Sequence, residues 1–207
     1  MINRREEKAR ETRNKIRVAA TRLFARNGFH RTSMADIASA IGMTQGAVFH
    51  HYPTKDVLLR AVIERLSHGL EAYRDCVEVP GSSRVVGRVL EMMVEHFRRE
   101  PEATICLAVL ATEFAGSDEP ILAEIVREYD TFIDGFAVAL AGHPKVRNPR
   151  AAAIAFVGAV QGGAIQGLLR AGDPPIEDLA EGCLDLLPVG CRAGGPAGSA
   201  EVGGGSP

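Results

Sequence analysis

From Arg13 to Gly28 the apolar residues Ile16, Ala19, Ala20, Leu23 and Phe24 recur at the i, i+3, i+4, i+7, i+8 spacing of one helix face. Gly28 predicts the stop, because a left-handed cap favours glycine. A second, shorter helix starts at Ser33, with Asp36 three residues on as the partner of a capping box, and buries Met34, Ile37, Ala38 and Ile41 before Gly42 ends it. Only Gly42 and Met43 precede the next start signal, Thr44, and so short a link forces two helices to cross, as in a helix-turn-helix. The third helix turns Val48 and Tyr52 inward at i, i+4 and ends before Pro53, which pushes its predecessor out of the α region. Thr54 caps a fourth helix whose inner face is Leu58, Leu59, Val62 and Leu66.

Beyond Glu64 the pattern stays helical to about Leu187. "VPGSS", Pro101, "AGSDEP", "AGHPKVRNP" and "AGDPP" punctuate it into helices near 83–99, 102–115, 120–140, 149–170 and 175–187. No run reads as a strand. The expected fold is all-α, an N-terminal three-helix helix-turn-helix domain joined to a larger C-terminal helical domain. The expected boundaries are a basic arm at 1–12, the helix-turn-helix at 13–60, the helical body at 61–187 and a disordered Gly/Pro/Ser-rich tail at 188–207.

Charge sharpens this division. Residues 1–60 hold twelve Lys/Arg against five Asp/Glu, a balance of +7, and residues 61–207 hold twelve against twenty-one, a balance of −9. Such polarity points to a polyanion-facing module on an acidic body, and equally describes a run of solvated arginines on one helix. The start, "MINRREEKARETRNK", has no apolar stretch after its charges, so no secretory signal is read there and a cytoplasmic location is expected. The uncharged run from Ala151 to Leu169 is long enough to span a bilayer, but alanine, four glycines and two glutamines dilute it and no aromatic belt flanks it. No membrane association is expected.

The segment "GMTQGAVFHHYPTKD", residues 42–56, carries the densest chemistry. With Val48 and Tyr52 buried, Thr44, Gln45, Gly46, Phe49, His50 and His51 fall on the sides and outer face of a short helix. Hydroxyl, amide and imidazole groups there suit base edges and phosphates in a major groove, and Gly46 admits close approach of the backbone. Lys55, at the start of the fourth helix, and Thr32 with Ser33, at the start of the second, are expected on phosphates. Adjacent helical residues point about 100° apart, so His50 and His51 cannot chelate one metal, and no HExxH motif is present. A catalytic pair would need a cleft and an orienting third group that the segment lacks. His68, His96 and His143 show no ligand or acid–base spacing, and Cys76, Cys106, Cys183 and Cys191 form no CxxC pair. No metal, cofactor or enzymatic activity is expected.

The near-repeat "GAVQG", "GAIQG" at 158–167 places Gly158, Gly162, Gly163 and Gly167 in one predicted helix, where glycine every four residues is expected to clear side chains from one stripe. Mid-helix glycine costs about 1 kcal/mol against alanine, so several together want a packing reason, and a close helix crossing between two subunits supplies one.

Residues 17–64, "RVAATRLFARNGFHRTSMADIASAIGMTQGAVFHHYPTKDVLLRAVIE", resemble the DNA-binding domain of the tetracycline-repressor (TetR) family. The marks are "LFARNGF" with a following Thr, "SMADIASAIGMTQGAVFHHYPTKD" and the apolar run after Lys55, together about a quarter of the chain. The resemblance implies that the third helix enters the major groove with Thr44, Gln45, Gly46, Phe49, His50 and His51. It implies phosphate contacts from Lys55 and the Thr32/Ser33 cap, and a buried aromatic at Tyr52. It further implies a homodimer joined through the helices near 149–170 and 175–187, binding a palindromic double-stranded DNA operator. An unidentified small-molecule effector would release the repressor by binding the body. A non-specific helix-turn-helix DNA binder and, more remotely, a helical-bundle enzyme are the alternatives.

In the body the resemblance is architectural only. Within "TICLAVLATEFAG", Glu113 is a candidate ligand contact and Cys106 a candidate ligand contact or oxidant sensor, since some relatives sense through cysteine. The same residues also fit a helix-edge carboxylate and a small core hydrophobe.

Overall fold

The computed structural model describes residues 4–74, 91, 94, 95, 97–141, 146–170 and 173–186. All regular structure among the described residues is helical. The helices are α1 (Arg4–Asn27), α2 (Met34–Ala40), α3 (Gln45–His51), α4 (Lys55–Arg74), α5 (Pro101–Phe114), α6 (Pro120–Leu140), α7 (Pro149–Leu169) and α8 (Ile176–Leu186). Most of the helix expected near 83–99, and the tail from 188, lie outside the described residues. So do Cys76, Cys191, the side chains of His68, His96 and Cys183, and His143.

The N-terminal elements follow the local signals. Ile16, Ala20 and Phe24 bury the inner face of α1, and Gly28 ends it at φ +82°, its N–H returning to the Phe24 carbonyl at 2.9 Å. Ser33 closes a reciprocal capping box with Asp36, and the bond from Ser33 holds the Asp36 carboxyl below the usual carboxylate range. Gly42 turns the chain at φ +66°, and Thr44 Oγ1 accepts the Ala47 N–H at 3.2 Å to start α3. Thr54 Oγ1 accepts from Val57 N–H at 3.1 Å and starts α4. The N-terminal stretch differs from a separate arm: residues 4–12 are helical and continuous with α1, where Glu6 and Glu7 in the first turn favour the positive end of the helix dipole.

Two apolar clusters hold the chain together. The first runs without interruption from α1 through α4 into α5 and the start of α6, joining Phe24, Ile37, Val48, Leu58 and Val62 to Cys106, Leu110, Phe114 and Ile125. Each large side chain buried here contributes about 1.5–3 kcal/mol. The expected boundary at residue 60 thus falls within α4, in a helix whose buried side chains belong to a core shared with the body. The second cluster lies between α6 and α7, around Phe136, Ala153, Phe156 and Val157, with Phe136 and Phe156 stacked 4.5 Å apart; Tyr129 packs against both clusters. α7 is long and apolar enough to cross a membrane, but one such helix is also what a core helix of a soluble protein looks like, and it packs on α6 and α8.

Candidate nucleic-acid interface

Val48 is fully buried and Tyr52 is 6% exposed, so the inner face of α3 is pinned to the core, with the Tyr52 hydroxyl donating to the Arg13 carbonyl at 3.4 Å. Burial pushes the Tyr52 phenol up, so it stays protonated as that donor. Pinning from inside fixes the opposite face. Thr44, Gln45, Gly46, Phe49 and His50 are exposed, and His51 is half-buried beside them. A Cβ at Gly46 would meet nothing, so this part of the helix is open to an approaching surface. The Thr44 hydroxyl spends a lone pair on its cap and keeps its hydrogen for an outside acceptor. The His50 and His51 rings meet edge to face at 5.4 Å. Burial first, then the His50 and Arg13 charges, holds His51 below the ordinary histidine value. The row therefore offers one hydroxyl, one amide and two imidazoles, a set able to donate to and accept from base edges.

Three expected contacts are placed differently. The Lys55 ammonium does not face outward. It donates to the carbonyls of Phe29 at 3.0 Å and Thr32 at 3.1 Å, reaches that of His30 at 3.5 Å, and lies 4.2 Å from the Phe29 ring centroid. In the loop between α1 and α2 the Phe29 carbonyl already accepts the Thr32 N–H at 3.1 Å, and the lysine adds a charged donor to it and to the Thr32 carbonyl. Thr32 is buried, and its hydroxyl donates to the Gly28 carbonyl at 2.8 Å. Of that group only Ser33 is exposed, and its hydroxyl is engaged with Asp36 at 2.6 Å.

The two ligand candidates are also occupied. Cys106 lies fully buried in the first cluster, and burial pushes its thiol up to about 12, which removes the thiolate that sensing requires. The Glu113 carboxylate is engaged by the helix-turn-helix domain itself: it accepts the N–H of Phe29 at 2.6 Å and of His30 at 2.8 Å. Sequence reasoning missed this link because the partners are more than eighty positions apart, and a backbone N–H carries no residue signature. Gly28, flagged by its turn chemistry, was the one visible clue: a Cβ there would stand 2.9 Å from the Glu113 carboxylate.

The four glycines of α7 divide between two faces. At about 100° per residue, Gly158 and Gly162 share an outer stripe with Ile154, Ile165 and Leu169, while Gly163 and Gly167 point the other way. Gly167 is buried within the chain, where its missing Cβ lets Leu179 and Ile176 of α8 close in to 3.4 and 3.9 Å. Ile154, Ile165 and Leu169 are exposed, and among the described residues nothing lies within 4 Å of a Cβ at Gly158 or Gly162.

Residues 16–62 match the family described as "Bacterial regulatory proteins, tetR family". This segment is a TetR-family domain. Among curated relatives, the HTH-type transcriptional regulator TtgR of Pseudomonas putida is 42% identical over 66 residues, 32% of this chain and 31% of TtgR. The match thus spans about a third of such a relative's length. Among solved structures, a TetR-family regulator from Agrobacterium tumefaciens superposes with a TM-score of 0.72 at 18% identity, covering 86% of this chain and 97% of that one. A SmeT–triclosan complex gives 0.66 at 20% identity, covering 90% and 96%. At such identities the likeness over the TetR body is one of fold.

Proposed function

We propose that this TetR-family chain is a homodimeric, sequence-specific DNA-binding transcriptional regulator, a repressor released from its operator by a small molecule. The observation that carries the reading is the outer row of α3. Thr44, Gln45, Gly46, Phe49 and His50 stand exposed on a helix whose opposite face is locked into the core, with His51 beside them. A rigid, short helix presenting hydrogen-bonding side chains is what a major groove admits.

The stripe of Ile154, Gly158, Gly162, Ile165 and Leu169 supports the dimer. An apolar helix face with small residues at its centre admits the same face of a second copy at close range, and a two-fold interface is self-complementary. Symmetry then predicts a palindromic operator with half-sites about one helical turn apart. The fold shared with a triclosan-bound regulator supports effector binding in the body. An effector that binds better when the two heads are wrongly spaced must weaken DNA binding, by reciprocity of coupling.

A gel shift comparing DNA from upstream of the chain's own gene with random DNA of equal length tests this. Selective retention of the upstream fragment is expected. A nucleoid-type binder would retain both fragments, and a helical-bundle enzyme neither.

A further inference from the structure

The loop from Gly28 to Thr32 joins α1 to the α2–α3 reading unit, and two charged side chains grip its backbone from opposite sides. Lys55 takes the carbonyls and Glu113 takes the amides. Lys55 belongs to the helix-turn-helix domain itself, but Glu113 belongs to α5 of the body. The grip is dense. Phe29 rests on Phe24 and Phe114, the His30 ring packs 5.4 Å from Phe114, and His30 Nε2 stands 4.0 Å from Glu113 Oε1. Gly28 supplies the missing Cβ that lets the carboxylate reach both amides.

We infer that Glu113 is a positioning residue for DNA recognition: its carboxylate, by holding the Phe29 and His30 amides, sets the orientation of the α2–α3 unit relative to the body. The inference rests on the DNA-binding reading above. Bidentate acceptance by an ionised carboxylate is stronger and more directional than a single neutral hydrogen bond, so the loop has one preferred seat on α5. A displacement of α5 by about one ångström stretches both bonds together, because hydrogen bonds weaken steeply beyond about 3.2 Å. The loop is then free to tilt α2 and α3. Glu113 is thus the point where the body acts on the reading helix.

The test compares the wild type with Glu113→Gln and Glu113→Ala. Glu102→Gln serves as the control, removing the separate α1–α5 ion pair of Glu102 with Arg26 at 2.7 Å. Each full-length protein is titrated with a duplex selected from a random pool and with a scrambled duplex, well below its unfolding temperature. Gln keeps one acceptor and turns an N–H toward the other amide, so the affinity for the selected duplex should fall about fivefold, and about tenfold or more with Ala. Affinity for the scrambled duplex should change less, because contacts to phosphates tolerate a tilted head. Glu102→Gln should stay within about twofold of the wild type. Amide hydrogen exchange at Phe29 and His30 should accelerate in both Glu113 variants. Should Ala prevent folding, the near-isosteric Gln decides. Unchanged affinity and specificity ratio in a folded Glu113→Gln, whatever its melting temperature, would overturn the inference while leaving the function standing. A wild type that prefers no duplex overturns the function and the inference with it.

Discussion

Lys55 and Phe29 are joined twice: the ammonium donates to the Phe29 carbonyl at 3.0 Å while lying 4.2 Å from the centroid of the same residue's ring. A lysine held this way supports the loop before α2, and its removal should be felt as lost stability. Lys55→Ala removes the charged donor from the Phe29 and Thr32 carbonyls, the first of which keeps the Thr32 N–H at 3.1 Å, and forfeits the cation–π contact, at a cost of about 1–3 kcal/mol, measurable by urea denaturation. The slope of log affinity against log salt for DNA should stay at its wild-type value. A slope reduced by about one unit with stability unchanged would instead restore Lys55 to a phosphate.

Cys106 should be inert while the chain is folded. Its thiol is fully buried and held up to about 12, so at neutral pH almost no thiolate is exposed to an electrophile. Alkylation with iodoacetamide followed by peptide mapping should leave Cys106 unmodified until denaturant is added. Peroxide should release DNA equally from the wild type and Cys106→Ser. Rapid labelling of the native protein at Cys106 would show that the core opens to it.

His51 should make the chain sensitive to acid. Its folded value is depressed, chiefly by burial and further by His50 and Arg13, so the unfolded chain binds the proton more readily. Above the unfolded value, near pH 6.5, both states are neutral and the residue contributes nothing to the pH dependence. As pH falls from there to the folded value, stability is lost, and the loss is complete below it. His51→Gln should therefore flatten the decline in denaturation midpoint between about pH 7 and about pH 5. In the wild-type NMR titration His51 should titrate below the ordinary histidine value, and His50→Gln should move it only part of the way back, because burial remains. A variant whose midpoint declines in parallel with the wild type would remove His51 from the account.

Gly162 is the position that tests the proposed dimer. A Cβ there meets nothing among the described residues, and leucine is a far better helix former than glycine, which costs about 0.8–1 kcal/mol against alanine, so Gly162→Leu should not destabilise a monomer. Between two copies of α7 packed on their small residues, the same side chain forces the helices apart. Sedimentation should show the dimer weakened or lost, with DNA affinity falling alongside. A dimer of unchanged affinity would place the interface elsewhere.

How much of this the chain announced depends on the range of each interaction. The capping box of Ser33 and Asp36, the Thr44 and Thr54 caps and the turns at Gly28 and Gly42 act over three or four residues, so their chemistry is written side by side. Periodicity likewise identified the buried Ile16, Phe24, Ile37, Val48 and Leu58. The destinations of long polar side chains were not legible. Lys55 and Glu113 read equally well as a phosphate clamp and a ligand contact, and only the fold brings the α1–α2 loop between them. A sequence repeat misled about the α7 glycines, because five-residue spacing moves through about 140° on a helix and puts Gly158 and Gly163 on opposite faces. Whether the exposed row of α3 reads bases is a matter for DNA.

Selection of duplexes from a random pool by the wild type, sequenced after several rounds and repeated with Gln45→Ala, tests that central claim most directly. The expected product is an inverted repeat with half-sites about one helical turn apart, whose base preference changes at matching positions in both halves with Gln45→Ala. Enrichment of no sequence, or one motif unaltered by Gln45→Ala and by substitutions at Thr44 and His50, would contradict α3 as the reading helix.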